Sequence, residues 1–167
     1  MTQTHDTRVH KKRSESPVVT AVSVGGFFIV VGLVFAMNPG LIQSIGDFFT
    51  DLTLKATPFF GNSHFALPAP ENPAAHETLY NAILQFDISI GILQVILLAF
   101  RLMLQSRTGR IAETVGDLVF WFGAAYLVST FLLVGTLAAW FQYWAALIVV
   151  VGFSIIARGI VYLAKNH

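Results

Sequence analysis

The second of four long apolar segments carries polar side chains at a spacing that could do chemistry. Tyr80, Asp87, Gln94 and Arg101 recur every seven residues. On a helix, this spacing places a phenol, a carboxylate, an amide and a guanidinium along one face. Asp87 is the central residue of this polar seam, because an ionised carboxylate within hydrocarbon costs at least ~2.5 kcal/mol unless it is paired or hydrated. Intramembrane acids mark proton and cation pathways often enough to make such a role a hypothesis here.

The sequence leaves several roles open for Asp87. No lysine, arginine or histidine lies at a matching depth in the other three apolar segments. We therefore expect its carboxyl group to be neutral, hydrogen-bonded to polar neighbours, reached by water or paired with another chain. The polar neighbours that the third segment offers are Tyr126, Ser129 and Thr130. A protonated, structural aspartate is the interpretation we favour; proton or cation handling and contact with a partner subunit are the alternatives.

A second group of charged residues is predicted at the cytoplasmic end of the apolar segments. Folding the third segment back on the fourth brings Asp117 close to Arg158. Folding it back on the second brings Arg101 near Asp117 as well. We expect Arg101, Asp117 and Arg158 to form an ion-pair network that fixes the register of the helices, in preference to a site for a substrate or a lipid headgroup.

Patterns typical of catalysis or cofactor binding are lacking in the sequence. The chain has no cysteine, which excludes disulfides, thiolate metal sites and cysteine nucleophiles. None of its five histidines lies within a predicted span, so a haem held by two helix histidines is excluded. His64, Glu71, His76 and Glu77 share one loop but lack the fixed spacing of metal ligands. We therefore predict no enzyme activity, no cofactor, no metal and no nucleic-acid partner.

Four membrane-crossing helices must position these residues. Hydrophobic residues make up 55% of the 167 residues, and 11% are charged, under half the roughly 25% of a typical soluble domain. Twenty helical residues cross a hydrocarbon core about 30 Å thick. The sequence predicts an all-α membrane protein, a four-transmembrane-helix antiparallel bundle. After a basic tail of residues 1–17, one domain of residues 18–165 contains predicted spans at 18–37, 79–104, 113–135 and 138–163.

The basic residues indicate how these spans are oriented. Of the ten lysines and arginines, only Lys55 lies in a segment assigned to the outer side. Basic residues concentrate on the cytoplasmic side of membrane proteins. We therefore predict a multi-pass protein of the cell membrane whose N- and C-termini are both cytoplasmic.

The outer loop, residues 38–76, is predicted to contain an extra amphipathic helix between the first and second spans. Apolar side chains recur on one helical face between Leu41 and Leu52, and polar side chains share the other face. Such a helix could lie at the membrane interface or fold over the top of the bundle.

Proline, glycine and capping residues predict where the helices begin and end. Residues 58–73 are rich in proline and aromatic residues and are expected to be extended. Asn72 and Pro73 then indicate a helix start, with Asn72 as its cap. Gly135 can end the third span and Thr136 can cap the fourth, which predicts a tight turn between them.

Small residues recur along one face of three of the spans. In lipid, small residues let helix backbones approach closely, and this contact replaces the hydrophobic drive to associate. The positions are therefore predicted to mediate helix packing, either within the bundle or between subunits. They are Ala21, Gly25, Gly32 and Ala36 in the first span, Gly116 and Gly123 in the third, and Ala145, Gly152 and Gly159 in the fourth.

The lack of catalytic groups favours a non-catalytic structural or accessory subunit of a larger membrane assembly. The alternative is a small homo-oligomeric channel or transporter that uses Asp87 for proton or cation handling. Against a transporter, the four spans show no inverted repeat and no span broken by proline. The expected partners are the lipid bilayer and other membrane subunits, or further copies of the same chain.

Single-cysteine labelling tests the predicted topology. Because the chain has no cysteine, Ser63→Cys and Ser106→Cys each introduce the only thiol. In intact cells, we expect a membrane-impermeant maleimide to label Ser63→Cys and to leave Ser106→Cys unlabelled until the membrane is permeabilised. Labelling of Ser106→Cys in sealed cells, with Ser63→Cys protected, would reverse the predicted orientation.

Overall fold

The computed structural model describes residues 17–56 and 66–164. Nearly all of the predicted basic tail, part of the loop predicted to be extended, and His64 lie outside the described residues. Within these ranges the chain forms five α-helices and two β-strands: α1 (Pro17–Met37), α2 (Leu41–Thr50), β1 (Leu52–Ala56), β2 (Ala66–Pro70), α3 (Glu77–Met103), α4 (Thr108–Thr130) and α5 (Leu137–Ala164). Short 3-10 turns, Pro73–His76 and Leu132–Val134, precede α3 and follow α4.

Four of the described helices are long and apolar enough to cross a membrane, which confirms the predicted multi-pass, helical character of the protein. The largest difference from the predicted limits is at α4, which begins at Thr108 instead of residue 113. Arg110 and Glu113 form an ion pair with an N–O distance of 3.5 Å on the surface of the first turns. The helix therefore continues beyond its apolar part, and hydropathy alone does not detect this extension.

The membrane-crossing helices follow one another in a row. α1 packs against α3, α3 against α4 and α4 against α5, whereas α1 and α5 make at most marginal contact with each other. We call the end of the row that carries α2 and the strands the hairpin end, and the opposite end, where Arg101 and Arg158 lie, the arginine end. α1 and α5 form the edges of the row, and most of their large apolar side chains are exposed, as a lipid-facing surface requires.

Two clusters of buried side chains hold the row together. The first joins α1 to α3 and includes Val30, Val34 and Leu93. The second lies at the hairpin end, where Tyr80 of α3 and Val128 of α4 pack with aromatic side chains of α5. α4 lies between its two neighbours in the row.

Glycines allow α4 to approach its neighbours closely. A Cβ atom on Gly123 would lie 2.6 Å from Cγ1 of Val150 in α5. A Cβ atom on Gly91 of α3 would lie 3.0 Å from the ring of Phe122 in α4. Both distances are shorter than van der Waals contact, so a larger residue at either position requires the neighbour to move.

A β-hairpin occupies part of the outer loop, which the prediction of an all-helical chain omitted. β1 and β2 are antiparallel, with Leu52 opposite Pro70 and Leu54 opposite Pro68. Proline has no N–H group, so a strand that contains it is normally restricted to a sheet edge. In a two-stranded sheet both strands are edges, and the two prolines lie two residues apart on the same side of β2. A proline-rich segment can therefore form a strand here.

The chain reverses where glycine adopts a left-handed conformation. Gly40 has φ 87° before α2, and Gly135 has φ 67° between α4 and α5. The Thr136 hydroxyl accepts a hydrogen bond of 3.2 Å from the Ala139 amide, as its predicted capping role requires. Asn72 departs from the prediction, because its side chain makes no capping hydrogen bond.

α2 folds over the hairpin end of the row and also leaves apolar side chains exposed. Leu41 is buried, and Ile45 and Phe48 pack against the buried clusters. Ile42 and Phe49 remain largely exposed. α2 thus packs on the top of the row with one part of its apolar face and leaves another part exposed, so it has features of both the predicted folded-over helix and the predicted interfacial helix.

Two glycine-to-alanine substitutions test the close approach of α4 and α5. Alanine raises intrinsic helix propensity by about 1 kcal/mol at either position. At Gly123 the new Cβ would meet the stiff, β-branched Val150, and overpacking of this kind costs roughly 1–3 kcal/mol. At Gly152 nothing lies within 4 Å. We expect Gly123→Ala to lower the thermal melting temperature in detergent and Gly152→Ala to leave it unchanged or raise it; equal effects would contradict the described interface.

Candidate functional site

The polar seam of α3 faces the interior of the row at the hairpin end. Tyr80 and Asp87 are only 2% and 5% exposed. Gln94 and Arg101, further along the same face, are half-buried. Asp87 lies ten residues into α3, about 15 Å along its axis at 1.5 Å per residue.

Asp87 makes no hydrogen bond or ion pair with any other residue in the described ranges. The polar neighbours expected from the third span do not contact it. Tyr126 is 67% exposed, Ser129 donates a 2.8 Å hydrogen bond to the Tyr126 carbonyl, and Thr130 is exposed. The phenol of Tyr143 in α5 lies within electrostatic reach of the Asp87 carboxyl group.

The sequence did not predict a second polar group at the hairpin end, the pair of Asp51 and His76. Nε2 of His76 lies 2.7 Å from Oδ2 of Asp51, and the backbone N–H of Asn72 donates to the same oxygen at 3.0 Å. The Glu71 N–H donates to the Asp51 carbonyl at 2.9 Å. Since a carboxylate only accepts hydrogen bonds, Nε2 of His76 carries the proton. This arrangement ties the end of α2 to the start of α3.

Aromatic rings enclose the Asp51–His76 pair on its inner side. The Phe48 ring lies edge-on to His76, with 5.2 Å between centroids, and 5.8 Å from the Trp140 ring. Nε1 of Trp140 donates a 3.2 Å hydrogen bond to the Pro68 carbonyl. His76 is therefore buried, whereas the Asp51 side chain keeps 25% of its surface exposed.

The hydrogen bonds around Asp51 lower the pKa of its carboxyl group. The hydrogen bond from His76 is the largest of the effects that hold the pKa of the Asp51 carboxyl below its usual value, and the Asn72 amide adds to it. Each of these donors stabilises the ionised form. The signal for this pair in the sequence was weak, because a turn, a hairpin and 25 residues separate Asp51 from His76.

The arginine end holds the other charged residues. Nη2 of Arg158 lies 2.7 Å from Oδ1 of Asp117, so α4 and α5 are joined by an ion pair. Nη1 of Arg101 donates to the Arg110 carbonyl at 2.8 Å and to the Thr114 hydroxyl, both at the start of α4. Asp117 of α4 is thus paired with Arg158 of α5, and Arg101 of α3 contacts Arg110 and Thr114 of the same helix α4.

The small residues predicted to mediate helix packing divide into two sets. A Cβ atom on Gly116 or Gly123 would clash with α5, so these two positions lie inside the row. In α1, Ala21, Gly25, Gly32 and Ala36 are all exposed. In α5, Ala145 and Gly159 are exposed and Gly152 is half-buried. Nothing lies within 4 Å of a Cβ atom built on Gly25, Gly32, Gly152 or Gly159.

No protein-family model, curated protein or solved structure matches this chain. Within residues 17–56 and 66–164, no group of three or more histidine, aspartate or glutamate side chains is arranged to hold a metal ion.

The depressed pKa of Asp51 predicts how pH affects stability. The pKa of the Asp51 carboxyl group is lower in the folded state than in the unfolded state. Its ionised form therefore stabilises the folded protein at any pH above the unfolded-state pKa. This stabilisation is lost as the pH falls through the folded-state pKa. We expect Asp51→Asn to lower the melting temperature at about pH 7 and to reduce the further loss of stability between about pH 5 and about pH 3. Asp47→Asn, exposed on the same helix, is the control. Parallel pH profiles for Asp51→Asn and the wild type would contradict the role of the pair.

Proposed function

We propose that this protein is a non-catalytic structural or accessory subunit of a larger membrane assembly, which it contacts through α1 and α5. The observation that carries the proposal is the outward orientation of the small-residue faces of these two helices. We call them the α1 seam (Ala21, Gly25, Gly32 and Ala36) and the α5 seam (Ala145, Gly152 and Gly159).

Helical glycines that touch nothing are unfavourable unless a partner uses them. Glycine in a helix interior costs about 1 kcal/mol relative to alanine. Gly123 offsets this cost by admitting Val150, whereas Gly25 and Gly32 have open space around them. In lipid, a helix face of small residues associates through close backbone contact. A transmembrane helix of another subunit packed on the α1 seam would explain why this face consists of glycine and alanine.

The two seams lie on the opposite edges of the row. Because α1 and α5 make at most marginal contact with each other, each edge is available to a different neighbour. Contact of an α1 seam with the α5 seam of an identical chain would be head-to-tail, and it would build a ring or an open filament. A small chain with two different edges is better suited to joining unlike subunits. The proposed location is the cell membrane, with both termini in the cytoplasm.

Native mass spectrometry of the untagged protein, gently extracted from its own membrane, tests the proposal. We expect other polypeptides at fixed stoichiometry. Gly32→Leu should weaken this association roughly tenfold or more, because overpacking costs about 1–3 kcal/mol and 1.4 kcal/mol corresponds to tenfold.

The matched control is Thr20→Leu, an exposed small-to-large change on the same helix, at least about 100° from every residue of the α1 seam at 100° per residue. It should leave the stoichiometry unchanged. A protein that leaves its membrane as a monomer would refute the proposal. A homo-oligomer alone would instead favour a small channel or transporter.

A further inference from the structure

Buried polar side chains connect the hairpin end with Asp87. Tyr80, Tyr143 and His76 lie in the interior of the hairpin end and take no part in either seam. Isolated buried polar groups are unfavourable, so each of them calls for a physical reason. The positions of these side chains relative to Asp87 suggest such a reason.

The entrance is the Asp51–His76 pair. Asp51 is partly exposed and accepts a hydrogen bond from His76, which is buried. The His76 ring lies edge-on to the Tyr80 ring, with 6.3 Å between centroids. An imidazole has two nitrogens, so it can take a proton on one side and release it on the other.

The Tyr80 hydroxyl follows as the next polar group. It is buried and makes no hydrogen bond with any residue in the described part of the chain. Tyr80 and Tyr143 belong to the same buried cluster. The phenol of Tyr143 lies within electrostatic reach of the Asp87 carboxyl group. The buried polar groups of the hairpin end thus belong to the elements that lie between the partly exposed Asp51 and the buried Asp87.

The series ends at Asp87. Beyond it towards the arginine end, the buried side chains of α3 are apolar: Ile90, Leu93 and Leu97. α1 contributes no titratable residue, and Tyr126 of α4 lies on an exposed face. Asp117 and Arg158 pair with each other at the other end. The hairpin end is therefore the side from which a proton can reach this carboxyl group.

We propose that Asp87 is a proton-binding site that exchanges protons with the compartment at the hairpin end through Tyr143, Tyr80 and the Asp51–His76 pair. The ligand is a proton, because a metal cation would need several oxygen ligands around it and Asp87 offers one carboxyl group. The site is independent of the subunit proposal, since none of its residues belongs to the α1 or α5 seam. Lys55 and Glu71, which pair at 3.5 Å on the hairpin, and Glu77, next to His76, are the nearest other charged groups at the entrance.

Dicyclohexylcarbodiimide is the probe for this site. It reacts with a protonated carboxyl group in apolar surroundings: the carboxyl oxygen adds to the carbodiimide carbon, and the acid proton moves to nitrogen. This gives an O-acylisourea, whose acyl group then migrates from oxygen to nitrogen. The resulting N-acylurea remains on the protein and is located by mass spectrometry. Asp87→Asn should abolish the adduct.

The full-length protein is labelled in proteoliposomes whose internal and external pH are set independently. The Ser106→Cys thiol reports the orientation of the molecules. We expect labelling of Asp87 to fall when the pH at the hairpin end is raised, because deprotonation of the carboxyl group prevents the reaction, and to be unaffected by the pH at the arginine end. After a pH jump, Tyr80→Phe or Tyr143→Phe should slow the change in labelling roughly tenfold or more, because a proton-relaying hydroxyl has been removed.

Tyr126→Phe is the matched control, since it removes an exposed hydroxyl from α4 and should have no effect. The comparison of the two pH gradients needs only the Ser106→Cys reporter and leaves Asp87, Tyr80 and Tyr143 unchanged, so it stands even where a tyrosine variant fails to fold. Labelling that follows the pH at the arginine end would overturn the proposal. So would the absence of an Asp87 adduct at every pH, or an equal effect of Tyr126→Phe and Tyr80→Phe.

Discussion

Hydrocarbon neither donates nor accepts hydrogen bonds, and the distribution of polar groups in this protein follows from that constraint. The helices satisfy their own backbone groups, and within residues 17–56 and 66–164 the irregular backbone lies at the two ends of the row. Ion pairs follow the same rule: Asp51–His76 lies at one end and Asp117–Arg158 at the other. Between these ends, the helices are held together by the close packing of complementary surfaces. Gly123 accordingly packs against Val150, and Gly91 packs against Phe122.

The two ends stabilise the row in different ways. At the hairpin end, contacts join elements that are far apart in sequence, since Trp140 of α5 bonds the Pro68 carbonyl of β2 and His76 bonds Asp51. At the arginine end, the contacts are between consecutive helices, from α4 to α3 and to α5. A row whose edge helices make at most marginal contact with each other thus has its register fixed at both ends.

The sequence predicted the features that depend on local chemistry. The lengths of the apolar segments predicted four spans, and Gly135 and Thr136 predicted the turn between α4 and α5. The sequence did not predict the β-hairpin, because Pro68 and Pro70 are unfavourable in a strand that has neighbours on both sides. They are compatible with this sheet, since both of its strands are edges. The periodicity of Gly25 and Gly32 indicated that they share a face, but not whether that face meets another helix or lipid, because this depends on tertiary packing.

The position of Asp87 separates two roles that the sequence could not distinguish. An intramembrane acid on an outward face would be neutralised most simply by a partner chain. Asp87 instead faces inward, and its own chain buries 95% of its surface, as the 5% exposure requires. A subunit seated on the α1 seam would act on this carboxyl group only by shifting α1 against α3, and one on the α5 seam only by moving Tyr143. The proposed assembly role and the proposed proton-binding site therefore use different residues of the same row of helices, and only the positions of the helices would link them.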